Sequence, residues 1–220
     1  MDSGVGREPE DTFDVVIVGG GPCGTTAADD LARRGRKVLL LDRAGRIKPC
    51  GGAIPPAAIR EFEIPESLLV AKVTSARMIS PAAKAVDMPI EGGYVGMVDR
   101  EHFDEWLRVR AAQAGADRRT GTFETLTRDP DGVARIHYLP KGAAASATLS
   151  VRTRSVIGAD GARSEVARQC VPGAGEVPFV YAYHEILRAP TPEQAVEGFD
   201  ATRCDVYYQG RLSPCGKIQA

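Results

Sequence analysis

The sequence predicts an α/β protein built on a parallel sheet, with antiparallel strands inserted into it and following it. Three observations carry this. Val15 to Val18 form a β-branched run without alternation, the mark of a strand buried on both faces. Glycines break that run, a helical pattern follows, and a second buried run, KVLLLDR, ends its strand at Asp42, which together make a βαβ unit. Later short strands are separated by turn signals such as the DPDG at 129–132, the pattern of an antiparallel meander.

Composition narrows the function. Of 220 residues, 43% are apolar and the formal net charge is −1, against the low hydrophobicity and high charge of a disordered chain. Balanced charge, 28 basic against 29 acidic side chains, gives no footprint for nucleic acid. No apolar run approaches the ~18 residues of a membrane span. Residues 1–12 are polar and partly acidic, unlike a secretory or transit peptide, and read as a disordered leader. Five scattered cysteines without a C-x-x-C pair argue against a disulfide framework or a zinc site and fit a reducing cytoplasm. Three histidines far apart in sequence argue against a histidine metal cluster.

Taken in order, TTAADDLARRG places Ala27, Ala28, Leu31 and Ala32 on one helical face, and Gly35 sits where a helix-terminating glycine belongs. Residues 44–98 are broken by Pro49, Pro55, Pro56 and Pro65, so loop with short helical pieces is expected, followed by strands over VTSARMIS and KAVDMPI. Phe103, Trp106, Leu107, Ala111 and Ala114 recur at helical spacing, with Asp99 as N-cap, Gly115 as terminator and Trp106 as core. A meander over 119–151 gives three antiparallel strands. SVIGADGARSEVARQ then reads as one more buried strand, a glycine-bounded acid and a helix with Val166 and Ala167 inward. FVYAYHEILRA and CDVYYQG read as strands of a second sheet.

Chemistry concentrates in the glycine turns. In Gly19-x-Gly21-x-x-Gly24 the first glycine permits a sharp turn, the second close approach of a pyrophosphate, and the third close packing of helix on strand. Helix N-terminal amides would then face the phosphates. Asp42, 18 residues after Gly24, stands where a carboxylate takes the adenosine ribose hydroxyls, and it would repel the 2′-phosphate of NADP. The site therefore reads as NAD or FAD, against a plain glycine turn as the bland alternative. The insertion after Asp42 favours FAD, because a classical dehydrogenase would continue with another βαβ unit. Gly158-Ala159-Asp160-Gly161-Ala162-Arg163-Ser164, between a buried strand and a helix, resembles the Asp-Gly fingerprint of flavoprotein hydroxylases and their relatives. Its bland alternative is a tight turn in which Asp160 caps the helix.

A third motif, Lys48-Pro49-Cys50-Gly51-Gly52-Ala53-Ile54-Pro55, brings in a more specific resemblance. DRAGRIKPCGGAIPP, with VGMVDREHFDEWLR and GADGARSEVAR, resembles the geranylgeranyl reductase family, nearest its chlorophyll and bacteriochlorophyll branch, over residues 13 to about 214. The resemblance implies a glutathione-reductase- and hydroxylase-like FAD-binding Rossmann fold with an antiparallel β substrate domain. It implies that Gly19, Gly21, Cys23 and Gly24 hold the FAD pyrophosphate, with Cys23 a tight-fitting small residue. Asp42 and Arg43 would border the adenosine, and Asp160 and Gly161 would lie on the pyrophosphate beside the path of NADPH. Cys50, Gly51 and Gly52 would line the isoalloxazine, and Arg100 would reach the flavin. The implied activity is NADPH-driven reduction of isolated double bonds of a geranylgeranyl chain, carried as the diphosphate or as a (bacterio)chlorophyllide ester, in bacteriochlorophyll biosynthesis. Peripheral association with the photosynthetic membrane goes with it. Cys50 is the candidate proton donor, with Lys48 placed to lower its pKa, against a reading as a small residue packed on the ring. Cys170, Cys204 and Cys215 carry no assignment.

The expected division is a leader at 1–12, an FAD-binding domain at 13–170 and the start of a substrate domain at 171–220. The family continues past CDVYYQGRLSP with a Tyr-x-Trp-x-Phe-Pro segment and a later Gly-Asp motif on the flavin ribitol, where this sequence reads CGKIQA. A frameshift, an early stop or a fragment would each produce that tail. Two alternatives remain from the residues themselves: a flavin aromatic hydroxylase, and a non-catalytic dinucleotide-binding remnant.

Overall fold

The computed structural model describes residues 11–43, 47, 50–144, 146–179, 181–194, 196–208 and 210, and the backbone of 218 and 219. Most of the leader, Lys48, Pro49 and Cys215 lie outside the described residues. The elements run β1 (Thr12–Val18), α1 (Pro22–Arg33), β2 (Val38–Asp42), β3 (Ala53–Ile54), α2 (Pro56–Glu61), β4 (Leu69–Val73), β5 (Ser75–Ile79) and β6 (Ala85–Pro89). They continue with β7 (Val95–Val98), α3 (Arg100–Gln113), β8 (Asp117–Arg128), β9 (Ala134–Pro140), β10 (Leu149–Gly158), α4 (Glu165–Cys170), β11 (Arg203–Tyr207) and β12 (Ile218–Gln219). They divide into two compact units, 1–47 with 104–181, and 48–103 with 182–220.

In the first unit β1 lies between β2 and β10, parallel to both, and β2 pairs in parallel with the start of β8. The far ends of β8 and β10 pair antiparallel with β9, so the five strands close into a ring. Two layers therefore share strands. The parallel half explains why β1 and β2 lack alternation. Val16, Val18, Leu39 and Leu41 pack toward the meander with Phe123, Ile136 and Val151. Ile17, Val38 and Leu40 pack toward α1 and α3 with Ala28 and Ala111. Each strand buries both faces, as its run of apolar residues requires.

The last meander strand and the buried strand before Asp160, expected as separate elements, are one. They form the single strand β10, whose first residues pair with β9 and whose last pair with β1. The helix ends follow their local signals. Gly35 takes φ +73, and its N–H and that of Arg36 reach Ala32 O and Leu31 O. Gly115 closes α3 the same way, with Ala116 N bonded to Ala111 O. Asp99 caps α3 through Glu101 N, 2.9 Å from its Oδ1. Trp106 is half-buried under the Arg110 guanidinium, while Phe103, Leu107 and Ala111 are buried.

In the second unit β7 lies between β3 and β4, a small sheet that the sequence did not announce. The strands expected over VTSARMIS and KAVDMPI are β5 and β6, an antiparallel pair in which Arg77 and Asp87 face each other and form a two-pronged ion pair. β11 joins β5 in parallel, so the sheet holding CDVYYQG is mixed. FVYAYHEILRA, expected as a strand, forms none among its described residues, and Tyr183 and Ile186 are 85% and 91% exposed. Strand propensity is expressed only through a partner's hydrogen bonds and packing, and no strand pairs with it among the described residues.

Candidate functional site

β1 delivers the chain into a turn that only glycine can make. Gly19 has φ +111 and donates its N–H to Leu41 O at 2.8 Å. A Cβ at Gly19 would lie 2.3 Å from Ala159 O, and one at Gly24 would lie 1.9 Å from Gly19 O. Gly21 is the N-cap of α1, with Pro22 next and no side chain capping the helix. The first bond into the helix is Thr25 N to Gly21 O, so the amides of Cys23 and Gly24 precede the helical ladder. A Cβ at Gly21 would meet nothing within 4 Å. Packed glycines on either side of an open one, at an uncapped helix N-terminus, form a cradle that a pyrophosphate fits.

Asp42 closes one side of this cradle. Its Oδ2 accepts a hydrogen bond from Gly20 N at 2.7 Å, and a Cβ at Gly20 would strike its side chain at 2.8 Å. Arg108 of α3 donates from Nε to Gly20 O at 2.9 Å and stands 3.9 Å from Asp42 Oδ1. Glu105 accepts from Arg108 and is held by both Arg118 Nη atoms, at 2.7 and 2.8 Å. The Arg118 hydrogen bonds keep the Glu105 carboxyl below the usual carboxylate range, against burial, which acts the other way. Gly20 and Arg108 are site residues that sequence reasoning missed. The run of three consecutive glycines was a visible signal for Gly20; nothing local ties Arg108 to the site, because Gly20 and Asp42 lie far from it along the chain.

The second motif arrives beside the first because β1 and β10 are in parallel register, Val18 opposite Gly158 and also opposite Leu41 on β2. Three strand ends thus meet at the carboxyl edge of one parallel sheet, where ligands bind in open α/β folds. Ala159 N donates to Val18 O at 2.7 Å. Asp160 is committed to α4: its Oδ2 accepts from Glu165 N at 2.6 Å and Val166 N at 3.2 Å, and its Oδ1 from the Ser164 hydroxyl. The carboxylate therefore shapes the turn, while Gly161, φ +92, has open space beside it. Cys23 is exposed on the first turn of α1, where a tight-fitting residue was expected. Arg43 follows β2 and is exposed.

The remaining candidates belong to the second unit. Cys50 and Gly51 are exposed, and Gly51 has nothing within 4 Å of a Cβ. Gly52 is buried with φ +69, its carbonyl accepts from Val98 N at 3.0 Å, and a Cβ would sit 2.2 Å from Val98 O. Ala53 pairs with Met97 and Gly52 bonds Val98, the residue before Asp99; the half-buried Arg100 then opens α3. Lys48, the expected basic neighbour of Cys50, lies outside the described residues.

Comparison with known proteins agrees with this geometry. The chain is 59% identical over 202 residues to a geranylgeranyl diphosphate reductase of Rhodobacter capsulatus, covering 92% of this chain and 50% of the relative. It is 37% identical to the chloroplastic geranylgeranyl diphosphate reductase of Oryza sativa subsp. japonica, covering 91% and 44%. The chain thus spans about half the length of the curated relatives it matches. A solved geranylgeranyl bacteriochlorophyll reductase-like protein from Thermoplasma acidophilum shares the fold at TM-score 0.69 and 24% identity, over 90% of this chain and 50% of that one. The resemblance read from the three motifs is borne out by these relatives, and so is the Rossmann-type fold. With residues 13–190 matching the family as a whole, the chain belongs to the pyridine nucleotide-disulphide oxidoreductases.

Proposed function

We propose that the chain supplies the FAD-binding part of a geranylgeranyl reductase, which uses NADPH to saturate isolated double bonds of a geranylgeranyl chain. The prenyl chain is carried as the diphosphate or as a (bacterio)chlorophyllide ester. The observation that carries the reading is the meeting of Gly19–Gly24, Asp42 and Ala159–Gly161 at one strand edge, in a chain 59% identical to a geranylgeranyl diphosphate reductase. In this reading residues 13–170 form the FAD domain and 171–220 open the substrate domain. Among the described residues no helix is long and apolar enough to cross a membrane. A prenyl substrate and the photosynthetic pigments would bring the protein to a membrane surface as a peripheral partner.

The residues of the first unit fit the pyrophosphate and adenosine of a flavin dinucleotide. The open Gly21 and the amides of Cys23 and Gly24 would receive the pyrophosphate, and Asp42 would accept from the adenosine ribose, with Arg43 alongside. Asp160 holds the turn in which Gly161 would meet the pyrophosphate. In the second unit Gly51, Gly52 and Arg100 are the residues we assign to the flavin side. Reduced FAD supplies the hydride. An isolated alkene is not polarised, so hydride arrival at one carbon requires a proton at its neighbour, delivered in a dry pocket. The Cys50 thiol, exposed on its own unit and carried on a loop pinned at Gly52, is the group we assign to give or relay that proton.

The test combines flavin retention with product mass. A version that also carries the C-terminal half found in the relatives, purified with FAD and supplied with NADPH and geranylgeranyl diphosphate, is expected to yield a prenyl product heavier by two hydrogens for each bond reduced. Oxygen-dependent NADPH consumption with an aromatic acid would replace this reading by a hydroxylase. Protein that binds no flavin under any loading condition would replace it by a non-catalytic remnant.

A further inference from the structure

We propose that Arg108 is a positioning residue for the adenosine ribose of the bound dinucleotide, acting through the Gly20 carbonyl and the Asp42 carboxylate. The inference rests on the reading of Asp42 as the ribose acceptor. Its own support is geometric. The Arg108 side chain is 15% exposed and the Asp42 side chain 18%, so the charges meet largely out of water, where attraction is stronger than at a surface. Nε donates to Gly20 O, and the same peptide neighbourhood donates Gly20 N back to Asp42 Oδ2. One guanidinium therefore fixes the glycine that orients the acid. At 3.9 Å it attracts Asp42 Oδ1 without itself occupying it as a hydrogen-bond donor.

The guanidinium is in turn held from behind. Nη1 reaches Glu105 at 3.3 Å, and Glu105 is gripped by Arg118 on β8, opposite Leu40 of β2. The chain of contacts runs from the sheet through α3 to the loop, so α3 sets the loop's shape although no local signal marks it. A lysine would keep the charge but lose the fork that serves Gly20 and Glu105 together.

The experiment compares wild type, Arg108→Met, Arg108→Lys and Asp42→Ala in two readouts. The first is the affinity ratio for FAD over an analogue lacking the adenosine 2′-hydroxyl. A site built to bond a hydroxyl rejects the analogue that lacks it, and a merely structural defect weakens both ligands alike. Arg108→Met is expected to narrow the ratio by about fivefold or more, with Arg108→Lys between it and wild type. The second readout is hydrogen exchange of the Gly20 amide without flavin, expected to accelerate about tenfold in Arg108→Met while Val16 and Leu40 stay protected. If Asp42→Ala narrows the ratio and Arg108→Met does not, the Arg108 inference falls and the ribose reading stands. If Asp42→Ala leaves the ratio unchanged, the ribose reading falls and takes the inference with it. Should flavin affinity be too low to read a ratio, the Gly20 amide decides: unchanged exchange overturns the proposal. If Arg108→Met does not fold, Arg108→Lys takes its place in both readouts, and a ratio and a Gly20 exchange rate equal to wild type overturn the proposal.

Discussion

Two glycine turns in this molecule, at 19–24 and at 51–52, look alike in sequence and are built differently. Each pairs close-packed glycines with an open one: Gly19, Gly20 and Gly24 around Gly21, and Gly52 beside Gly51. The first turn is braced on three sides by the ends of β1, β2 and β10, and Val16, Ile17 and Leu40 on the first two have no exposed surface. The second, among the described residues, is held at Gly52 by Val98 and continues into the two-residue strand β3, and it presents an exposed cysteine. Holding a phosphate group requires amides fixed before the ligand arrives, so that no ordering cost falls at binding. Supplying a proton requires a side chain that the substrate can reach. On the proposed reading, the contrast between a core-braced cradle and a loop pinned at Gly52 would serve those two needs.

The largest expected effect tests the bracing of the first turn. Gly24→Ala places a methyl against the Gly19 carbonyl, which the sheet holds, and should cost about 3 kcal/mol of stability. Gly21→Ala, with open space beside it, should stay within ~0.5 kcal/mol in the same urea titration. Equal losses in the two variants would erase the distinction between packed and open glycines. Next comes the exposed thiol. In a version that also carries the relatives' C-terminal half, Cys50→Ser should retain flavin yet slow alkene reduction by about 10²-fold, a barrier of ~2.7 kcal/mol, with flavin reduction by NADPH little changed. Stopped-flow traces with both half-reactions intact would leave the cysteine without a chemical part.

A smaller effect is expected at the second turn's single pin. Gly52→Ala combines a left-handed backbone with a backbone contact at 2.2 Å and should cost about 2 kcal/mol, while Gly51→Ala stays near wild type. Asp160→Ala removes the cap that accepts from Glu165 N and Val166 N and should cost ~1 kcal/mol, measured by thermal unfolding. A loss below the error of that measurement would mean that Ser164, which accepts from Ala167 N, caps the helix alone. The smallest effect is one of pH. The folded Glu105 carboxyl is held below its ordinary value by Arg118, so its contribution is present above ~pH 4.3 and fades as the pH falls through the depressed folded value. The stability difference between wild type and Glu105→Gln should therefore shrink on acidification below ~pH 4; a difference that grows instead would reverse the assigned sign.

Much of the first turn was legible from short stretches of sequence. The unbroken apolar runs of β1 and β2 announced two buried faces, and Asp99, Gly35 and Gly115 marked helix ends that the structure places where expected. The glycine spacing and the acid at the end of β2 read as a dinucleotide cradle, and the structure brings Gly20 and Asp42 into contact. Other features were not legible for a common reason. That β10 serves both the meander and the parallel layer depends on which strands lie beside each half of it. The strand-like FVYAYHEILRA shows that propensity without a partner makes no strand. Cys23 turned out exposed because its direction is set by how α1 seats on the sheet.

The elements with local causes, then, were written into the chain: buried runs, caps, left-handed turns and the order in which they come. These depend on backbone dihedrals and neighbours a few residues away, which a single stretch of chain already contains. It took the folded arrangement to bring the first two motifs to one sheet edge and to carry Arg108 to Gly20 and Asp42. Those outcomes rest on parallel register and on contacts between residues as far apart as 20 and 108, whose geometry exists only once the strands have paired and α3 has docked.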